Sequence, residues 1–367
     1  MKCTDNEKNI KKENKLPRSE RERQENRSRL RRKRRREFLI RRILGITLVF
    51  VLFIGAIVLW VKFPRQSNKL DMEYDIENPV YGVQFGEKSL SLASSFASDL
   101  CVAGSDVTSS GLVLDDCISA GLFDLNKKEV LYSKNIYETI YPASITKLVT
   151  ALVAIKYGDL DSIVTVSEYA VDLDYDSQKC DLLAGDKIPL RDLLHGVLIW
   201  SGNDAAIAVA EHIAGSEEAF VEMMNQEVKK IGATKSNFVN SHGLHDDNHY
   251  TTAYDIYQIF NEIIKNETIL SILNNTSYTA TIVRADGSDI TYTWPATNWY
   301  YSGDNPIPEG VTIAGGKTGT TDEGGNCLVI LSKDVYGNPY ISIVMKAATK
   351  DSLYVQMDRL LSYINTR

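Results

Sequence analysis

Apolar and polar positions recur along this chain with different periods, and those periods divide it into elements. Residues 43–61, ILGITLVFVLFIGAIVLWV, hold no charged residue and show no polar stripe. A helix rises about 1.5 Å per residue, so a run of this length nearly crosses a hydrocarbon layer of roughly 30 Å. One transmembrane helix is therefore expected there. Residues 118–124 and 129–133 are strand-like runs, and Leu125-Asn126-Lys127-Lys128 between them predicts a hairpin. Apolar residues at three- and four-residue spacing predict helices over 144–156, 190–213, 217–231, 252–265 and 352–364. The second of these is interrupted at Trp200-Ser201-Gly202-Asn203. Strand-like runs return at 312–317, 326–332 and 340–345. Strands at both ends of a region with a helical middle predict an α/β (α+β) fold. Its expected form is one antiparallel sheet flanked by helices, with an inserted helical lobe.

Charge separates the chain into two objects. Residues 1–42 carry 18 Lys and Arg against 7 Asp and Glu, a net of +11, whereas the remainder carries 23 against 41, a net of −18. The run Arg31-Arg32-Lys33-Arg34-Arg35-Arg36, followed by Arg41-Arg42, sits directly before the apolar span. Positive charge at that position is held on the cytoplasmic side. The expected organisation is a disordered basic cytoplasmic tail over 1–42 and a transmembrane helix over 43–61. A stalk and irregular extension over 62–116 would follow, and then an extracytoplasmic domain over 117–367. Val61-Lys62-Phe63-Pro64 offers no small-residue cleavage site, so the span is expected to be retained as a bilayer anchor. Topogenesis suffices to explain the basic run, and no nucleic-acid partner is expected. Cys3 falls in the tail. Cys101, Cys117, Cys180 and Cys327 fall in a compartment that permits disulfides, with Cys101–Cys117 the favoured short loop and Cys180–Cys327 either a second pair or two free thiols.

Three short words carry candidate chemistry. In Tyr141-Pro142-Ala143-Ser144-Ile145-Thr146-Lys147, a serine and a lysine stand three apart, on one face of a helix start. A serine hydroxyl needs a base to become a nucleophile, and a desolvated lysine can serve. Taken alone, S-x-x-K is more often a helix cap followed by a surface lysine. Ser201-Gly202-Asn203 alone is a turn, and Lys317-Thr318-Gly319-Thr320 alone is a strand end. In this order and these local contexts, the three are the motif set of the penicillin-recognising serine enzymes.

The flanking residues narrow the likeness. Ser201-Gly202-Asn203-Asp204-Ala205-Ala206, His242-Gly243-Leu244 and the stretch 317–325 resemble the serine D-alanyl-D-alanine carboxypeptidases of the low-molecular-weight penicillin-binding class. The similarity runs over roughly 117–364. The resemblance implies a β-lactamase/transpeptidase-like fold and hydrolysis of the terminal D-Ala-D-Ala bond of peptidoglycan stem pentapeptides. It assigns Ser144 as nucleophile, Lys147 as its base and Ser201 as proton relay to the leaving amine. Asn203 would hold the substrate backbone, and Lys317, Thr318 and Gly319 would line the site of the terminal carboxylate. The amides of Ser144 and Thr320 would form an oxyanion hole. β-Lactams would acylate Ser144, and no cofactor or metal is called for. The Lys147–Lys317 pair is expected to make the cleft locally positive despite the acidic body. Two features depart from the family. Trp200 precedes Ser201 where proline is frequent, and the chain ends at Arg367, after its last helix, where many members continue into a β-domain.

The same residues bear on rival functions. A β-lactamase needs a dedicated deacylating glutamate, and none stands in such a pattern. A membrane-anchored β-lactam receptor, acylated without turnover, is the alternative from another class. His242, His245, Asp246, Asp247 and His249 fall within eight residues, a spacing able to bind zinc. His242-Gly243-Leu244, however, matches a family word, and the following residues read as an exposed turn.

Overall fold

The computed structural model describes residues 99–366, and within them the strand-like runs at 118–133 form a hairpin. Strands β1 (Ser119–Asp124) and β2 (Glu129–Lys134) pair antiparallel, and Asp124 Oδ1 closes the turn by accepting from the amides of Asn126 and Lys127. A 3₁₀ turn over Ala143–Thr146 runs without a break into α1 (Lys147–Tyr157). Two short strands follow, β3 (Ile163–Thr165) and β4 (Lys187–Pro189). The helical run expected over 190–213 is three pieces: a helix over Leu190–His195, a π-helical turn over Gly196–Trp200, and α2 (Asn203–Ala214). Ser201 sits at the break with φ +71°, a left-handed conformation that ends one helix and frees the next to start in a new direction.

Helix α3 (Glu217–Ile231) starts where Ser216 accepts from the amide of Ala219 and ends at left-handed Gly232. Thr252 caps α4 (Ala253–Ile263) in the same way, and α5 (Glu267–Leu273) is capped by Asn266. A second hairpin, β5 (Ser277–Val283) with β6 (Asp289–Pro295), precedes the late strands β7 (Thr312–Thr321), β8 (Gly325–Lys333) and β9 (Pro339–Ala347). A capping box between Thr349 and Ser352 opens the final helix, α6 (Lys350–Ile364).

The strands form two antiparallel sheets, which corrects the expectation of one. A five-stranded sheet has the order β2-β1-β9-β8-β7, so the first and last parts of the domain are hydrogen-bonded neighbours. A smaller sheet, β3-β4-β5-β6, belongs to the helical insertion. Both faces of the large sheet are covered. Phe123, Val329, Leu331, Ile341 and Ile343 pack with the helical lobe, and Ala120, Leu122, Leu328, Ile330 and Val344 pack under Leu353, Met357, Leu360 and Leu361 of α6. Full coverage explains why β1 is buried at every position. Helix α1 belongs to the larger core and is apolar around its circumference, with Leu148, Val149, Ala151, Val153 and Ala154 all buried.

Residues 99–116, expected to be an irregular extension, do have irregular backbone, yet they contribute Cys101 and Ala103 to one core and Leu112 and Leu114 to the other. The expected Cys101–Cys117 disulfide is corrected: Cys101, Cys117, Cys180 and Cys327 are all free and buried. Cys101 and Cys117 lie in the cores on opposite faces of the large sheet, where a short sequence separation does not bring them together. The span 43–61 lies outside the described residues. Among the described residues, no helix is long and apolar enough to cross a membrane.

Candidate active site

Ser144 and Lys147 are brought together by the junction of the 3₁₀ turn with α1. Because α1 is wrapped in core on all sides, a lysine at its first position has no route to water, and Lys147 is fully buried. Its Nζ donates to Asn203 Oδ1 at 2.7 Å and to the carbonyl of His242 at 2.7 Å, and lies 3.0 Å from Ser144 Oγ. Burial, reinforced by the neighbouring Lys317 charge, holds the amine well below the ordinary lysine range. A neutral amine has two N–H groups and one lone pair. In that neutral form the two carbonyl oxygens, which only accept, would take both N–H groups and leave the lone pair for the serine hydroxyl.

The break after the π-helical turn supplies the second wall. Left-handed Ser201 and Gly202 turn the chain so that Asn203 starts α2 facing Lys147, and the Asn203 amide donates to the carbonyl of Gln178. Asp204 is buried beneath, where its carboxylate accepts from the amides of Cys180, Leu182 and Ala205 and so ties the preceding loop to this corner. Trp200 Nε1 donates to the carbonyl of Lys179, a second tie between that loop and the Ser201 turn.

Strand β7, at the edge of the large sheet, supplies the third wall. Lys317 is 1% exposed; its Nζ donates to Ser201 Oγ at 2.9 Å and to the carbonyl of Thr318 at 2.8 Å. Burial lowers its pKa to about 7. Gly319 passes so close to the Ser144 turn that a Cβ there would lie 2.9 Å from the Ser144 nitrogen and 3.0 Å from the Pro142 oxygen. Only a residue without a side chain permits that approach. The Ser144 amide and the end of β7 therefore face the same space.

Ser144, Ser201, Asn203, Thr318, Gly319 and Thr320 all line one cleft of about 510 Å³, with Lys147 and Lys317 buried behind them. All eight residues singled out in the sequence thus meet at one place. The expectation of a positive cleft needs refinement. The floor holds the lysine pair, whereas Asp174, Asp176, Asp322 and Glu323 line the rim together with Lys350.

Sequence reasoning missed two contributors. Thr297, in the loop after β6, also lines the cleft and places its hydroxyl 2.6 Å from that of Thr318. The His242 carbonyl on Lys147 is a backbone contact, which leaves no mark on residue type. The histidines are dispersed among separate partners. His242 Nδ1 accepts from the amide of Leu244, His245 packs edge-on to Tyr141, and His249 reaches Thr146. Among the described residues, no group of three or more His, Cys, Asp or Glu side chains is placed to hold a metal ion.

Comparison with known proteins agrees with this geometry. The family model described as D-alanyl-D-alanine carboxypeptidase matches residues 116–349. The D-alanyl-D-alanine carboxypeptidase DacF of Bacillus subtilis is 32% identical over 253 residues, covering 67% of this chain and 61% of that protein. DacA of Haemophilus influenzae is 32% identical over 250 residues, covering 66% and 60%. The chain therefore spans about three fifths of the length of these relatives. The crystal structure of the Streptomyces K15 DD-transpeptidase superposes with a TM-score of 0.64 at 25% identity, covering 71% of this chain and all of that one. With its motif order, its cleft and its family match in agreement, the chain belongs to the D-alanyl-D-alanine carboxypeptidase family.

Proposed function

We propose that this chain is a serine-type D-Ala-D-Ala carboxypeptidase that removes the terminal D-alanine from peptidoglycan stem pentapeptides. The observation that carries the reading is the buried Lys147 amine, with both N–H groups on carbonyl oxygens and Ser144 Oγ 3.0 Å away. Lys147 takes the Ser144 proton as Oγ attacks the carbonyl of the penultimate residue. The amides of Ser144 and Thr320 receive the oxyanion, and such a donor is worth roughly 3 kcal/mol. As the C–N bond breaks, Ser201 gives its hydroxyl proton to the departing amine and takes up the one held on Lys147, which returns to the neutral amine. Water then adds to the acyl-enzyme and releases the shortened peptide. Lys317 and Thr318 hold the terminal carboxylate, Gly319 lets β7 approach, and Asn203, whose oxygen is taken by Lys147, offers its Nδ2 to the substrate backbone. β-Lactams acylate the same serine.

The test follows free D-alanine released from a pentapeptide by the full-length protein in detergent. Wild type should release it with or without a chelator, and Ser144→Ala should lose at least roughly 1,000-fold. Chelator-sensitive release that survives Ser144→Ala would overturn the serine mechanism. Stable penicillin labelling of Ser144 without release would favour the receptor. The structural likeness to a DD-transpeptidase makes an added amine acceptor a useful second arm, since transfer to it would widen the activity beyond hydrolysis.

We infer also that residues 43–61 anchor the chain in the bilayer, with 1–42 inside and 62–367 outside as stalk, extension and catalytic domain. The uncharged span and the basic run before it support this. In intact cells, a membrane-impermeant maleimide should leave Cys3 unlabelled; labelling would reverse the orientation.

A further inference from the structure

The histidines that the proposed chemistry does not use include one that sits directly behind the nucleophile. His249 is 2% exposed, and its ring bridges two partners, with Nδ1 3.3 Å from the Val239 amide and Nε2 2.7 Å from Thr146 Oγ1. Thr146 Oγ1 lies in turn 2.8 Å from the carbonyl of Ala143. The direction of this chain is fixed by its ends. Burial brings the His249 pKa down to about 4, so at neutral pH one ring nitrogen carries the proton. The Val239 amide donates to Nδ1, which puts that proton on Nε2. Nε2 then donates to Thr146 Oγ1, and the threonine proton is left to the Ala143 oxygen.

The Ala143 carbonyl is not an incidental acceptor. Its peptide unit also contains the Ser144 N–H, and a planar trans peptide points its oxygen and its hydrogen in opposite directions. Fixing one fixes the other. Ala143 has φ +49°, a conformation unfavourable for a residue with a side chain, so local preference alone does not hold it there. Gly243 (φ +93°) packs against the same carbonyl beside the threonine, where a Cβ would lie 2.0 Å from the oxygen and 2.9 Å from Thr146 Oγ1.

We propose that His249 is a positioning residue which, through Thr146 and the Ala143 carbonyl, aims the Ser144 N–H at the oxyanion. The role rests on the reading of Ser144 as nucleophile. It concerns charge that develops during acylation, so it should alter rate and leave ground-state binding nearly untouched.

The test uses the full-length protein in detergent and the variants His249→Phe, Thr146→Val, their double, His249→Gln and Thr146→Ser. Folding is followed by thermal melting, acylation by benzylpenicillin, and turnover by D-alanine release. His249→Phe and Thr146→Val should each slow acylation and kcat about 10- to 100-fold, with KM within about twofold. The double variant should be no slower than the worse single, because both remove one chain of bonds. His249→Gln and Thr146→Ser, which restore a donor, should recover most of the rate. Acylation of Thr146→Val within about twofold of wild type overturns the proposal, as do losses that multiply in the double variant. If His249→Phe fails to fold, the comparison of Thr146→Val with Thr146→Ser decides. Normal Ser144 labelling in wild type with unaffected variants removes the role of His249 alone, whereas no labelling in wild type removes the functional reading with it.

Discussion

Lys317 shows at a single residue what the cleft costs the fold. Its folded pKa of about 7 lies below the ordinary 10.5, and burial is the cause. Between those two values the unfolded chain binds the proton more tightly, so stability rises with pH across that window. Below about pH 7 both states are protonated, and the folded state bears the whole penalty of a buried ammonium. Lys317→Met should therefore abolish turnover and yet raise Tm at pH 7 by roughly 3–6 °C. It also strands two acceptors, Ser201 Oγ and the Thr318 carbonyl, which reduces the gain by about 1 kcal/mol each. The gain should shrink toward pH 10. A Tm that falls at pH 7, or a gain that grows with pH, would show that the ammonium is stabilised in place. At this scale the sequence was readable wherever residue type is the signal, as with Ser144, Lys147, Ser201, Asn203 and Lys317. It was silent on Thr297, whose hydroxyl meets Thr318 only because the β6 loop folds over the cleft.

At the scale of elements, the site is a junction between the edge strand β7 and the turn that starts α1. Gly319→Ala is the sharpest probe of that junction, because its Cβ would press on the Ser144, Ile145 and Pro142 backbone. Activity should fall at least ~100-fold for a displacement of less than 1 Å. Tm should change by only a few degrees, since β7 can part slightly from the turn without exposing the core. A variant that retains more than about a tenth of wild-type kcat/KM would mean that the contact is slack. Hairpin β1–β2 and strands β7 to β9 were legible as short apolar runs bounded by turn residues, and the helical run by its spacing, with Ser201-Gly202 marking the break. Hairpin β5–β6 was overlooked although it does alternate: Ala280, Ile282 and Trp294 point inward, and Thr279, Thr281, Thr291 and Thr293 outward. Tyr278, Ile290 and Tyr292 join that inward face, so the alternation stands in the sequence and was passed over there. β3 and β4, at three residues each, are too short to give a signal.

At the scale of the molecule, sheet order β2-β1-β9-β8-β7 joins the beginning of the domain to its end, and the helical insertion lies between them in sequence. Strand pairing across more than 200 residues could not be read from periodicity, which reports only local geometry; it was inferred from strands at both ends. The segment 99–116 escaped for a related reason. Its few apolar residues pack only once distant strands and α6 are in place, and Arg359 Nη1 then bonds the Val113 carbonyl and Asp115. The same separation leaves the four described thiols in apolar surroundings without cross-links. The described fold therefore has no disulfide to form or lose, and its melting temperature should be the same in reducing as in oxidising buffer.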